Sequence, residues 1–325
     1  MPPLLSTGLA GFALAAVASA GLTAGWILLA RRRRWVDLPG ARRLHDHPTP
    51  RGGGIGIAAV MGVAFFLGAP VLLGAGVLGF ALVGLLDDVA SLRAWAKLAM
   101  QLLAAGLVAA GVHPVWPLAI VIVLAVTYLV NAFNFMDGSN GLVAVQGLVL
   151  GIALALWPEQ ADGLPGVAWC LAGACVGFLP FNLPTARTFL GDVGSHAIGA
   201  SVAVLMLFSV LWGSIPLPAA LLMITPVLLD TGMTLWRRAV ARKPVWRAHR
   251  EHLYQYAVRS GHTHLAVCLA YAAWTAASVL MALAGVNLRS SFVMWTVLML
   301  NWTACAAAYC LLRRHWLRNK RQGVV

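Results

Sequence analysis

Apolar runs of bilayer-crossing length, parted by short connections that carry nearly all the charge, extend along the whole of this chain. A helix needs about 20 apolar residues to cross a bilayer, and Gly, Pro and charge mark where one run stops and the next begins. On that basis the sequence predicts eleven spans, at roughly 7–30, 53–69, 71–86, 97–112, 116–133, 138–156, 166–183, 194–213, 216–236, 263–285 and 290–312. Those near residue 70 are short, which predicts tilted or irregular helices there. Only 10% of the residues are charged and 61% are hydrophobic, with a mean hydropathy of +0.83. Soluble domains carry about 25% charged residues, so too little polar sequence is left to build one. The expected fold is all-α: a single polytopic membrane domain over residues 1–325.

The charges set an orientation. Arg31 to Arg34 follow the first apolar run instead of preceding it, so the run reads as a helix stopped by arginines and not as a cleaved signal peptide. Placing the N-terminus outside puts 31–52, 87–96, 134–137, 184–193, 237–262 and the tail after 312 in the cytoplasm. With the flanking helix ends, these segments hold every Lys and Arg of the chain except Arg289, as the positive-inside rule requires. The net charge of +13 is thereby explained by anionic lipid and anionic substrates, and nucleic acid is not needed as a partner. The five cysteines (Cys170, Cys175, Cys268, Cys305, Cys310) lie inside apolar runs without metal-type spacing and read as packing residues.

Acids are the informative minority. Glu159 and Asp162 fall in an outer loop, whereas Asp37, Asp46, Asp87, Asp88, Asp137, Asp192, Asp230 and Glu251 fall at or near the cytoplasmic face. Carboxylates at the ends of membrane helices are costly and usually mark a site. Their supply from several separate inner connections predicts one cytoplasm-facing cleft.

Four segments carry chemistry, and a fifth stretch adds anion contacts. Asp87 and Asp88 end the third span; adjacent helix residues point about 100° apart, so one carboxylate can take a metal or a proton while the other orients a lysine or a backbone group. Lys97, opening the next span, can pair with a phosphate. Between the fifth and sixth spans stand Asn131, Asn134, Asp137, Gly138, Asn140 and Gly141. There glycines let the backbone approach a ligand, a helix N-terminus offers N–H groups to phosphate, and the asparagines suit a sugar or a base. Asn182 to Ser195 contains Phe189, able to stack on a base or to anchor at the interface, and Asp192 between two glycines. A carboxylate there suits Mg²⁺, which takes few protein ligands and keeps its other positions for water and phosphates. The basic connection from Arg237 to His264 includes His249, Arg250, Glu251 and His252, which can hold a pyrophosphate or form a solvated basic loop. A Pro- and Gly-rich stretch from Asp37 to Gly54, with His45 and Arg51, reads as an ordered loop in contact with anions.

In this order, His-x-x-Pro-Thr-Pro-Arg-Gly-Gly, Asp-Asp, Asn-x-x-Asn-x-x-Asp-Gly and Gly-Asp-x-Gly-Ser resemble the polyprenyl-phosphate N-acetylhexosamine-1-phosphate transferases. That family includes the enzyme making the first lipid-linked peptidoglycan precursor. The resemblance runs from about Asp37 to Gln255. It implies transfer of a sugar 1-phosphate from a UDP-N-acetylhexosamine to undecaprenyl phosphate, with release of UMP and dependence on Mg²⁺ (Mn²⁺ being an alternative). It also implies metal binding by Asp192, catalytic roles for Asp87, Asp88 and Asp137, and substrate contacts by Lys97, Asn134, Asn182 and Phe189. Arg51, His45, Asn131, Asn140, His249, Arg250 and His252 are the remaining candidate contacts.

Two departures stand out: Asn140 replaces a usual family aspartate, and His-Arg-Glu-His-Leu-Tyr-Gln replaces a triple-histidine run. The second, with eleven spans and an inner C-terminus, resembles the branch that initiates O-antigen and related surface glycans in Gram-negative bacteria, and implies an inner-membrane enzyme facing the cytoplasm. The hexosamine is left open, as is a homodimer. A transporter of an anionic substrate is the main rival, but its acids would approach the bilayer midplane.

Overall fold

The computed structural model describes residues 3–37, 48–158, 163–245, 247, 249–288 and 290–321. A chain in lipid must satisfy its backbone polar groups within itself, and helices do so most simply. The helices are α1 (Pro3–Arg33), α2 (Ile55–Gly68), α3 (Val71–Ala90), α4 (Ala94–Val112), α5 (Trp116–Met136), α6 (Leu142–Ala155), α7 (Leu164–Phe178), α8 (Gly191–Leu211), α9 (Leu217–Met223), α10 (Thr225–Val240), α11 (Leu253–Arg259), α12 (His264–Asn287) and α13 (Ser291–Arg321).

Every apolar run expected to span is helical, but the runs are not equivalent. Among the described residues, eight helices (α1, α3, α4, α5, α7 with the turn after it, α8, α12 and α13) are long and apolar enough to cross a membrane. The run expected at 216–236 is broken into α9 and α10, which meet at 78°, with Pro226 just beyond the break. Helices α2 and α6 have 14 residues each, about 21 Å at 1.5 Å per residue, shorter than a hydrocarbon core of about 30 Å. The protein is a polytopic membrane protein. The basic connection after α10, expected as a continuous loop, contains the short helix α11.

Helix α8 is the centre: almost all of it is buried, and α2, α3, α5 and α6 pack around it. The contact with α3 depends on Gly84, where a Cβ would stand 2.3 Å from the carbonyl oxygen of Asp192. At the same end of the bundle a two-stranded ribbon, β1 (Val36–Asp37) antiparallel to β2 (Thr49–Pro50), lies beside the entry to α8. The Phe189 N–H donates to Pro50 O (2.8 Å), and Gly53 N and Gly54 N donate to Phe189 O and Leu190 O (2.9 Å each). Trp26 Nε1 on α1 donates to Arg51 O (2.7 Å), fixing the backbone that carries Arg51.

Candidate active site

The end of α3 reaches the start of α8, and the carboxylates follow from that contact. Asp88 accepts from the backbone N–H groups of Asp192 and Val193, 3.0 Å each. It therefore caps α8 from a neighbouring helix, supplying acceptors to N–H groups that no helical carbonyl reaches and placing negative charge at the positive end of the helix. Gly191, at φ +75°, makes the turn that aims these groups. Asp87 accepts from Leu92 N (2.7 Å) and Lys97 Nζ (3.0 Å). Lys97 Nζ also contacts Asp192 Oδ2, so one ammonium bridges two carboxylates. Arg51 does the same on the other side, with Nε 2.7 Å from Asp88 Oδ1 and Nη2 3.1 Å from Asp192 Oδ1. Although burial works against its charge, Asp88 and Asp192 bind the Arg51 proton more firmly than usual.

Beside this array lies a polar cavity of about 310 Å³ lined by Asp37, Arg51, Asn134, Asp137, Phe189, Gly191 and Asp192. Asn134 Nδ2 donates to Ser195 Oγ (3.0 Å), which turns its amide toward the first turn of α8. Burial pushes the Asp137 carboxyl well above the usual carboxylate range, and the charges of Asp192 and Asp88 push it further. Four carboxyl groups (Asp87, Asp88, Asp137, Asp192) are thus gathered around two cations, and burial favours the protonated form of Asp137. Acids that outnumber the basic groups, one of them kept neutral by burial and its neighbours' charge, suit a divalent cation, whose binding would displace that proton. Among the described residues no three His, Cys, Asp or Glu are placed to hold a metal by themselves; Mg²⁺ takes one or two carboxylates and fills its shell with water and substrate phosphates. Asp192 and Asp137, which share the cavity, are the residues that would hold it.

The other candidates separate into groups. Asn182 is buried: its Oδ1 accepts from Gly141 N (2.5 Å) and its Nδ2 donates to Thr188 O (2.8 Å), so its amide joins two loops. Asn140 Nδ2 reaches Pro184 O (3.5 Å). Asn131 spends its amide hydrogens on Gln101 Oε1 and Thr127 O, 2.8 Å each. His252 is buried, stacked between His249 and Phe135, with Nδ1 3.5 Å from Asp230 Oδ1. His249 is half-buried, and burial lowers its imidazole to about 4. Arg250 is half-buried, and its carbonyl accepts from Arg259 Nη1 (3.4 Å). His45 lies outside the described residues.

One expectation needs correction: the inner acids do not all share a cleft. Asp230 and Glu251 belong to a separate network. Asp230 accepts from Leu253 N (2.7 Å), Tyr254 N (3.2 Å) and Tyr271 Oη (2.6 Å). Glu251 is surrounded by Arg237, Arg238 and Lys243 at 2.6–3.3 Å; burial opposes its charge, but these cations hold its carboxyl below the usual range. Sequence reasoning also missed residues: Gln101 and His196, one helical turn from Lys97 and Asp192, hydrogen-bond each other at 2.8 Å. A polar side chain inside an apolar helix was the available signal.

The fold and this cluster define a class: a multi-pass membrane protein with a charged, acid-rich site at one end of its helices. A family model described as glycosyl transferase family 4 matches residues 70–210, the segment holding Asp87, Asp88, Lys97, Asp137 and Asp192. The decaprenyl-phosphate N-acetylglucosaminephosphotransferase of Mycolicibacterium smegmatis is 32% identical, over 83% of this chain and 82% of its own. An undecaprenyl-phosphate alpha-N-acetylglucosaminyl 1-phosphate transferase of Thermotoga maritima is 31% identical over 57% of this chain and 60% of its own. A phospho-N-acetylmuramoyl-pentapeptide-transferase of Heliobacterium modesticaldum is 36% identical over 47% of this chain and 56% of its own. The chain belongs to glycosyl transferase family 4, and is a transferase of the bacterial, multi-pass membrane type.

Proposed function

We propose that the chain transfers an N-acetylhexosamine 1-phosphate from a UDP-N-acetylhexosamine to undecaprenyl phosphate, giving a lipid-pyrophosphate-linked sugar and UMP. The observation that carries this reading is the excess of acidic over basic side chains where Asp87, Asp88, Asp137 and Asp192 meet Arg51 and Lys97. The names of the relatives, each a phosphotransferase and most naming a polyprenyl phosphate, support the substrate classes. Lys97 and Arg51, which bridge carboxylates in the free protein, are placed to turn toward pyrophosphate oxygens when the donor enters. Phe189 offers a ring to the base from the cavity wall, and Asn134 an amide to the sugar or phosphate. Asp87 takes the proton of the lipid phosphate monoanion, or orients the dianion through Lys97. An oxygen of the lipid phosphate then attacks the β-phosphorus, the bond from that phosphorus to the bridging oxygen breaks, and UMP leaves. Bound Mg²⁺ would supply charge neutralisation of the pyrophosphate, held by Asp192 with Asp137 in support. Asp88 acts by holding the turn that presents Asp192.

The site is proposed to face the cytoplasm from the bacterial inner membrane, on the strength of the basic segments at this end, and the product to initiate an O-antigen or related surface glycan. The test is release of labelled UMP from a panel of UDP-N-acetylhexosamines by purified protein in detergent. Release that requires undecaprenyl phosphate and stops with EDTA is expected, with Mg²⁺ restoring it. Absence of release with every donor, from folded protein, would overturn the reading and bring an anion transporter forward.

A further inference from the structure

One turn below the charged cluster, away from the cavity, lies a second layer of polar side chains buried among apolar ones. His196 and Gln101 are both essentially inaccessible. His196 Nδ1 lies 2.5 Å from the carbonyl oxygen of Asp192; a carbonyl only accepts, so Nδ1 carries the hydrogen and Nε2 is an acceptor. Gln101 Nε2 donates to that Nε2 at 2.8 Å. The Gln101 carbonyl Oε1 accepts from Asn131 Nδ2 (2.8 Å), whose second hydrogen goes to Thr127 O (2.8 Å). The chain is directional and uses every donor of both amides, since Gln101 Nε2 also faces Asn131 Oδ1 at 3.4 Å.

The spacing gives this layer its meaning. Lys97 and Gln101 are four apart on α4, Asp192 and His196 four apart on α8, and Asn131 and Asn134 three apart on α5. Residues three or four apart share a helix face. Each helix therefore presents one residue to the charged cluster and one to the layer beneath it. In lipid nothing replaces a lost hydrogen bond between such groups, so the layer fixes the axial and rotational position of three helices. Asp192 is gripped from both sides: its N–H by Asp88 and its C=O by His196.

We infer that His196, Gln101 and Asn131 form a positioning relay that sets the relative placement of Lys97, Asn134 and Asp192, with Asn131 serving the relay and not the substrate. The inference rests on the proposed function for its kinetic consequence alone. The amide nitrogen of Asn overlays Nδ1 of His, and that of Gln overlays Nε2. Thus His196→Asn keeps the bond to Asp192 O and loses Gln101, whereas His196→Gln loses Asp192 O and keeps Gln101 only with its amide turned so that the oxygen accepts from Gln101 Nε2. Gln101→Leu roughly preserves volume and suits the apolar surroundings, so it remains foldable if a histidine variant does not.

The experiment takes full-length protein in nanodiscs and measures two things. Hydrogen exchange without ligands is expected to rise over 131–141 and 190–196 in His196→Asn, His196→Gln and Gln101→Leu. With UDP-N-acetylglucosamine and undecaprenyl phosphate, kcat is expected to fall about 10- to 100-fold, the scale of a misplaced catalytic group, while KM for the UDP-sugar stays within about threefold. The double variant His196→Asn/Gln101→Leu is expected to be no worse than the worse single one, because the two act as a unit. Unchanged exchange in all variants, or losses that multiply in the double variant, would overturn the relay. A wild type that releases no UMP contradicts the proposed function and leaves the exchange result to decide the relay.

Discussion

Asp88 and Asp230 do the same local work in different surroundings. Each is a buried carboxylate that takes two successive backbone N–H groups at the start of another helix: Asp88 caps α8 and Asp230 caps α11. Around Asp230 the arrangement is closed. Tyr271 donates to it, Thr234 and His252 stand beside it, and no part of it is exposed. Around Asp88 the arrangement is open: Arg51 is shared with Asp192, Lys97 is shared between Asp87 and Asp192, and Asp137 lines a cavity without an ion-paired cation among the described residues. A carboxylate saturated by fixed donors is a strut. Carboxylates that outnumber their cations beside a cavity invite a charged ligand.

The comparison can be broken by substitution. The largest effect is expected from Asp192→Asn, which removes the acid shared by both cations. UMP release should fall on the order of 1,000-fold, while the melting temperature in detergent moves little or rises. Asp137→Asn should also suppress transfer, while the melting temperature moves little because burial already favours the neutral carboxyl; transfer close to wild type would contradict a role for Asp137 at the site. Asp230→Asn should behave in the opposite sense. It leaves buried donors poorly paired at a cost of about 1–3 kcal/mol, seen as a lower melting temperature, with KM for the UDP-sugar close to wild type in the protein that folds. Gly84→Ala sharpens the comparison, since the added methyl meets the Asp192 carbonyl. It should reduce transfer about 10-fold or more by displacing the capped turn.

The smallest effect concerns pH. Burial lowers the His249 imidazole to about 4, from about 6.5 in an unfolded chain. Between those values the unfolded state binds more protons, so stability is fully present above about pH 6.5 and declines as pH falls toward 4. His249→Gln should flatten melting temperature against pH across that window; an unchanged slope would assign the acid sensitivity elsewhere.

Much of this was legible in the sequence, for reasons that differ by element. The spans were readable because apolar length is a one-dimensional property, whereas the break between α9 and α10 depends on tertiary packing that hydropathy does not encode. Asp87, Asp88, Asp137 and Asp192 were readable because charge at a helix end is costly in lipid. What the sequence could not sort was open from closed. Asp230 has the same residue type at a similar depth as Asp88, and only its partners Tyr271 and Leu253, distant along the chain, mark it as a strut. Asn131 and Asn182 carry the amides a sugar site needs, yet their hydrogens are committed to Gln101, Thr127 and Thr188. Gln101 and His196 passed unnoticed because each belongs to no motif and acquires its role through a helix next to it.

The most direct measurement follows a label at the β-phosphate of the UDP-sugar. Sugar 1-phosphate transfer at the Asp192 cluster expects that label in the lipid fraction, with unlabelled UMP released, and neither product from Asp192→Asn. Label retained in UDP while the sugar alone reaches the lipid, or transfer that survives in Asp192→Asn, would contradict the account.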